Sequence, residues 1–246
     1  MKTLCFWLLA FAMLIPVKSE AQIEIPASVD YKDIERKISD PASPVYYPVL
    51  LDRYMNNDLH MTIEEYRYLY YGFTFHPGYQ PYSMTIAEDS LNSMLLKDSL
   101  DQADLKVMQR LLYTNLREKP IALKPLLIMA SVCEKLGDSK EAATWYSKYE
   151  KCLQAILSTG DGKSTSTAWD VIWINDEYMI LNELGFEFTG PQQLIESSYD
   201  YLGVAENNLG VKGLYFNVNR LFEAGFKELN KQEIRRPRKW KRNKKS

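Results

Sequence analysis

Residues 125–157, PLLIMASVCEKLGDSKEAATWYSKYEKCLQAIL, decide the fold. Apolar side chains recur at spacings of three and four on both sides of Gly137-Asp138, and that dipeptide divides the stretch into two helices of similar length. Pro125 sits where a first turn tolerates it. Ala130 and Ala142 are small residues placed where two antiparallel helices approach closely. Tyr146, four positions after Ala142, is expected on the same face.

Helix, tight turn and helix in this arrangement resemble a tetratricopeptide repeat, whose period is about 34 residues. One period before Ala142 stands Met108, where the repeat expects alanine, and Pro120 follows in the phase where a repeat ends in proline. The resemblance implies stacked helical hairpins and the concave groove they form, near residues 100–157.

Upstream, Ser28 is expected to cap a first helix, VDYKDIERKI, and VYYPVLLDRYMNN forms a second. A capping box, Thr62 with Glu65, opens a third. Between Tyr66 and Tyr82 the chain carries six tyrosines and two phenylalanines. Tyr66, Tyr70 and Phe73 fall on one helical face, and Tyr68 and Tyr71 widen it. So broad an aromatic stripe belongs inside a fold. Beyond it FTFHPGYQPYS is a turn, where Tyr79 and Tyr82 are candidates for stacking on a ligand. TIAEDSLNSMLLKDS and LDQADLKVMQRLLYTNLREKP are helical.

After Leu157 the texture changes. The polar loop STGDGKSTST leads into AWDVIWIND, read as a strand, then a short helix EYMILNELG and another, GPQQLIESS. YDYLGVAENNLGVKGLYFNVNR reads as two strands around a turn at Asn207 to Gly210, and LFEAGFKEL as a terminal helix. The expected class is α+β: mostly helical, with helical hairpins, followed by a small antiparallel sheet with flanking helices. The domains expected are a signal peptide at 1–21, a helical region at 22–157, and an α+β region at 158–230 packed on it in the same domain. A basic, disordered tail is expected at 231–246.

The first 21 residues have a basic start, an apolar run from Leu4 to Pro16 and a Ser19-Glu20-Ala21 end, the pattern of a leader cleaved before Gln22. That run is too short to span a bilayer, and Cys5 within it lacks a lipoprotein cleavage box. The expected location is periplasmic or secreted, with no transmembrane segment in the mature chain. Gln22 to Ala27 is expected as an extended lead. Cys133 and Cys152, the cysteines left after cleavage, are read as buried free thiols. The last 12 residues, RRPRKWKRNKKS, hold eight basic side chains and no acid, on a chain whose net charge is −2. Arg235, Arg236, Arg238, Lys239, Lys241 and Arg242 therefore suit anionic lipid or glycan. Nucleic acid is not an expected partner of an exported chain. The helical region is expected to meet an envelope protein.

Little in the sequence carries chemistry. GDGKS, Gly160 to Ser164, lacks the first glycine of a phosphate loop, since Leu157 stands in its place, and it follows a helix instead of a strand. His60 and His76 are too far apart in sequence for a zinc set. No serine lies in a nucleophile elbow. No cofactor is expected, and the chain is read as a non-enzyme. Paired carboxylates for glycan hydrolysis would come from Asp170, Asp176 and Glu177, expected to be exposed at strand ends.

The blocks YLYYGF, GDGKSTSTAWDVI, DEYMILNELG and GVKGLYFNV resemble an uncharacterised family of exported Bacteroidota proteins, a domain of unknown function, over about Tyr31 to Leu229. The resemblance implies an envelope or secreted location and transfers no site. Asp161, Trp169, Trp173 and Asp176, with Tyr79 and Tyr82, are the surface or ligand-binding candidates. The leading expectation is a non-enzymatic binding or assembly protein, and the second a glycan-binding or glycan-hydrolysing one.

Overall fold

The computed structural model describes residues 28–226. The leader, the lead from Gln22 to Ala27, the end of the terminal helix and the basic tail with its Arg and Lys candidates lie outside the described residues. Helices α1 (Tyr31–Ser39), α2 (Tyr47–Met55), α3 (Ile63–Gly72), α4 (Ile86–Leu95), α5 (Gln102–Glu118), α6 (Leu123–Lys135) and α7 (Ser139–Leu157) come first. Then follow β1 (Trp169–Asp170), α8 (Ile174–Glu183), β2 (Phe188–Ile195), β3 (Tyr199–Val204) and β4 (Gly213–Asn217). Residues 219–226 are helical. The class is α+β.

Local chemistry sets the helix boundaries. The Thr62–Glu65 capping box is present, and Thr85 with Glu88 forms a second one at α4. At α1 the cap is Asp30, not Ser28. Its carboxylate accepts from the Lys32 and Asp33 amides at 3.0 Å, and its negative charge is favoured at a helix N-terminus. Between α6 and α7 the chain turns through a Schellman motif. The Gly137 amide bonds to the Glu134 carbonyl and the Asp138 amide to that of Cys133, with Gly137 at φ +86°. Asp138 then caps α7 by accepting from the Glu141 amide at 2.9 Å.

Neighbouring helices pack in sequence, α4 on α5, α5 on α6 and α6 on α7, while α3 lies against α7. Ala130 and Ala142 are buried in the hairpin, as are the free thiols of Cys133 and Cys152. Tyr146 is 42% exposed, away from the face assigned to it, because the buried stripe of α7 runs through Ala142, Tyr149, Cys152 and Ile156. The tyrosines of α3 are interior, and one contiguous core runs from Ile34 to Leu221.

The sheet has the order β1-β4-β3-β2 and is mixed, not antiparallel throughout. β1 runs parallel to β4 because α8, β2 and β3 intervene and return the chain in the same direction. Leu202, Leu214 and Phe216 face the core, while Tyr201 and Tyr215 pair on the other face. Two expectations change. The strand at AWDVIWIND shrinks to two residues: 168–173 is buried on every side and gives way to α8 at Ile174. GPQQLIESS is not a helix. It supplies most of β2, an edge strand whose register breaks between Phe188 and Gln192 and which can hold Pro191 because a missing amide harms an edge least.

Candidate functional site

The buried segment 170–173 makes few ladder hydrogen bonds, so its backbone needs other partners. Tyrosines provide most of them. Tyr71 donates its hydroxyl to the Asp170 carbonyl at 2.9 Å, and Tyr79 donates to that of Ile172 at 2.8 Å. Tyr70 accepts from the Ile172 amide and donates to Asp176 Oδ2 at 2.5 Å. Tyr70 and Tyr79 meet Trp173 edge to face and Phe73 meets it tilted, with centroids 5.6 to 6.0 Å away. The aromatic cluster is therefore a clamp that fixes where Trp173 and Asp176 stand.

Asp176 completes the clamp from the other side. Helix α6 begins after Ala122, which has no capping side chain. Its first amide, that of Leu123, donates instead to Asp176 Oδ1 at 3.1 Å. One carboxylate thus binds α3 and caps α6 from the first turn of α8. Burial raises its pKa to about 7, while the two hydrogen bonds oppose the rise.

Against this frame lies a cavity of about 340 Å³, walled by α4, the end of α5, the start of α6 and Trp173 to Asp176. Leu91, Leu112, Ala122 and Ile128 give it apolar walls. The polar wall is a short network. Lys119, at the end of α5, donates to the Ser83 carbonyl at 2.7 Å and to both Glu88 oxygens at 2.9 and 3.0 Å. Asn115, one turn earlier, donates Nδ2 to Thr85 Oγ1 at 3.3 Å. Lys124 reaches Asn92 at 3.3 Å, and Tyr82, half exposed, stands at the rim. Two residues of this lining carry a buried atom without a hydrogen-bond partner among the described residues, Asn115 Oδ1 and Trp173 Nε1. One accepts and the other donates.

On the next position of α8, Glu177 is fully buried, and among the described residues neither carboxyl oxygen has a hydrogen-bond donor. Its neighbour is Asp200 of β3, which accepts from Gln192 Nε2 at 3.3 Å. Two carboxyl groups in contact share a proton. Burial first, then the charges of Asp200 and Asp176, push Glu177 up to about 9, so it is the partner that keeps the proton. Asp170 is also raised by burial, to about 6, although it accepts from Asn217 Nδ2 at 2.8 Å. The expectation that Asp170, Asp176 and Glu177 lie exposed is overturned. Helix α8 starts early enough to carry the latter two inward, and the buried β1 carries the first.

The other candidates separate. Trp169 is buried, donates its indole N–H to the Gly160 carbonyl at 2.9 Å and lies flat on Gly162, where a Cβ would come within 2.3 Å of its ring. Asp161 is exposed and holds the same loop by accepting from the Lys163 amide and the Thr167 hydroxyl. The GDGKSTSTAWD block is thus a structural turn. Trp173 and Asp176 reach the cavity, Tyr82 reaches its rim, and Tyr79 is packed behind Trp173. Sequence reasoning missed Glu88, Asn115 and Lys119. Asn115 left a signal: it continues the apolar stripe of Leu105, Met108 and Leu112.

The domain of unknown function DUF4919 matches residues 32–226, and the chain belongs to that family. No curated protein matches the chain, and no solved structure does.

Proposed function

We propose that this DUF4919 protein is an exported binding protein without a reaction of its own. Its ligand, on this reading, is a small hydroxyl-bearing molecule, of about the size of one sugar ring, held in the cavity beside Trp173. The observation that carries the proposal is the orphan pair, Asn115 Oδ1 and Trp173 Nε1, in the lining of one cavity. A buried polar group without a partner costs about 1–3 kcal/mol. A ligand hydroxyl both donates and accepts, so it can meet either the amide oxygen or the indole N–H. The volume suits a small ligand, and mixed apolar walls with a few placed polar groups are the usual composition of such sites.

Export rests on the leader, and the basic tail supplies attachment to anionic lipid or glycan. The hairpin of α6 and α7, with α4 and α5 stacked before it, supports the tetratricopeptide-like reading and an envelope partner on that side. Glycan hydrolysis has less support. Asp176 is engaged by Tyr70 and Leu123, Glu177 faces Asp200, and Trp173 and Tyr79 are packed inward.

The test is a thermal-shift panel of monosaccharides, polyols, nucleosides and amino acids on the leader-less chain, followed by calorimetry on any hit. A hydroxyl-bearing compound is expected to raise Tm. Asn115→Leu and Trp173→Phe are each expected to weaken it about tenfold, the equivalent of one hydrogen bond. No hit in the panel, or unchanged affinity in both variants, refutes the site.

A further inference from the structure

A different face of α5 lines a second cavity, of about 510 Å³, between the end of α2 and the first half of α7. Lys148 stands in its wall. The residue is 4% exposed, and its Nζ lies 4.3 Å from the Tyr54 ring centroid and 4.6 Å from that of Trp145. Among the described residues it has no carboxylate and no other hydrogen-bond acceptor. The two acids of this cavity are already engaged. Glu141 accepts from the Tyr113 hydroxyl and from Trp145 Nε1, and Asp138 caps α7. Two more cations, Arg117 and Lys140, line the same cavity, and neither has an ion-pair partner among the described residues.

A buried ammonium normally pairs with a carboxylate, because desolvation of an unpaired charge is unfavourable. Here only ring faces oppose that penalty, and cation–π attraction offsets part of it. Burial lowers the Lys148 pKa to about 8. A primary amine that is partly neutral, sheltered from bulk water and set in a cavity is the arrangement that makes lysine a nucleophile toward carbonyl carbon.

We propose that Lys148 is the amine of a binding site for small 2-oxo acids, which it holds as an imine while Arg117 and Lys140 receive the carboxylate. The neutral amine adds to the keto carbon and a C–N bond forms. The carbonyl oxygen then leaves as one water, carrying both amine protons. The result is a C=N bond, with no oxidant or reductant required. Nothing in this site depends on the cavity beside Trp173.

The probe is pyruvate. The leader-less full chain is incubated with it at pH 8 together with cyanoborohydride, which reduces an imine irreversibly, and every lysine is followed by peptide mass mapping. At that pH about half of Lys148 is neutral, against under about 1% of an ordinary lysine. It is expected to label at least about tenfold faster than the median surface lysine. Acetone, which lacks the carboxylate, is expected to label it more slowly than pyruvate, and Arg117→Gln to reduce the pyruvate rate several-fold. Labelling of Lys148 no faster than that of surface lysines overturns the proposal, and this reading needs no variant that must fold. Equal rates with acetone and pyruvate overturn the carboxylate part.

Discussion

The tyrosine clamp on residues 170–176 and the walls of the two cavities use the same kinds of side chain to opposite ends. In the clamp, the hydroxyls of Tyr70, Tyr71 and Tyr79 and both oxygens of Asp176 have partners at 2.5 to 3.1 Å. Among the described residues, Asn115 Oδ1 and Trp173 Nε1 have no hydrogen-bond partner, and the Lys148 amine meets only the ring faces of Tyr54 and Trp145. Both sets are buried, so burial does not separate structure from function in this fold. On the proposed reading, satisfaction of the polar atoms at the cavities does. Paired groups hold the chain in one geometry, and unpaired groups at a cavity keep their hydrogen-bonding capacity for something else.

Four measurements test that contrast. Asp176→Ala should have the largest effect, about 3 kcal/mol in urea unfolding, because it leaves the Tyr70 hydroxyl and the Leu123 amide buried without an acceptor. A loss below about 1 kcal/mol breaks the comparison on its strongest side.

The second is a pH profile of stability. Burial raises Asp170, Asp176 and Glu177 to about 6, 7 and 9. Each binds its proton more tightly in the folded chain, so its contribution is complete below about pH 4 and is lost as pH rises through those values. Asp33, Asp58 and Asp104, held below their ordinary range by hydrogen bonds to Lys37, Arg53 and Lys97, act in the opposite sense and lose their contribution on acidification. Stability should peak near about pH 5 and decline toward pH 9. Glu177→Gln, which cannot ionise and can donate to Asp200, should flatten the decline by on the order of 2 kcal/mol at pH 8. An unchanged profile in that variant shows that the proton is not shared as described.

Third, Tyr71→Phe removes a single buried hydroxyl from the Asp170 carbonyl and should lower stability by about 1 kcal/mol. The smallest effect is expected from Asn115→Leu. It removes an unpartnered oxygen along with the 3.3 Å hydrogen bond from Asn115 Nδ2 to Thr85 Oγ1. The two changes oppose each other, and stability should stay within about 0.5 kcal/mol of the wild type. If this variant unfolds as readily as Asp176→Ala, the orphan oxygen is structural and the contrast fails.

The helical part of the fold was legible because its signals are local. Thr62 with Glu65 is written within four residues, and so is the Gly137-Asp138 turn. The sheet was harder to read. Residues 168–173 are buried on all sides, so no alternation exists to be detected, and β2 takes its conformation from β3, with little burial of its own to imprint a pattern. The cavity beside Trp173 depends on residue 176 meeting residue 123, a pairing that no local window contains. One of its polar members still left a trace, Asn115, which interrupts an apolar stripe on α5. Outside the cavity, Asp200 shares the inward alternation of Leu202. Lys148 follows Trp145 by three positions, yet in sequence it reads as one more solvated charge on α7.

The cap that Asp176 provides for α6 has a consequence for synthesis. The chain leaves the ribosome from its N-terminus, so the hairpin of α6 and α7 emerges well before the carboxylate that closes its first turn. Until then the Leu123 amide must bond to water, and the rings of Tyr70 and Tyr71 lack the backbone they later grip. A nascent chain halted near residue 160 therefore carries an unfinished, sticky surface, and assembly of the first two-thirds is timed by the arrival of the last.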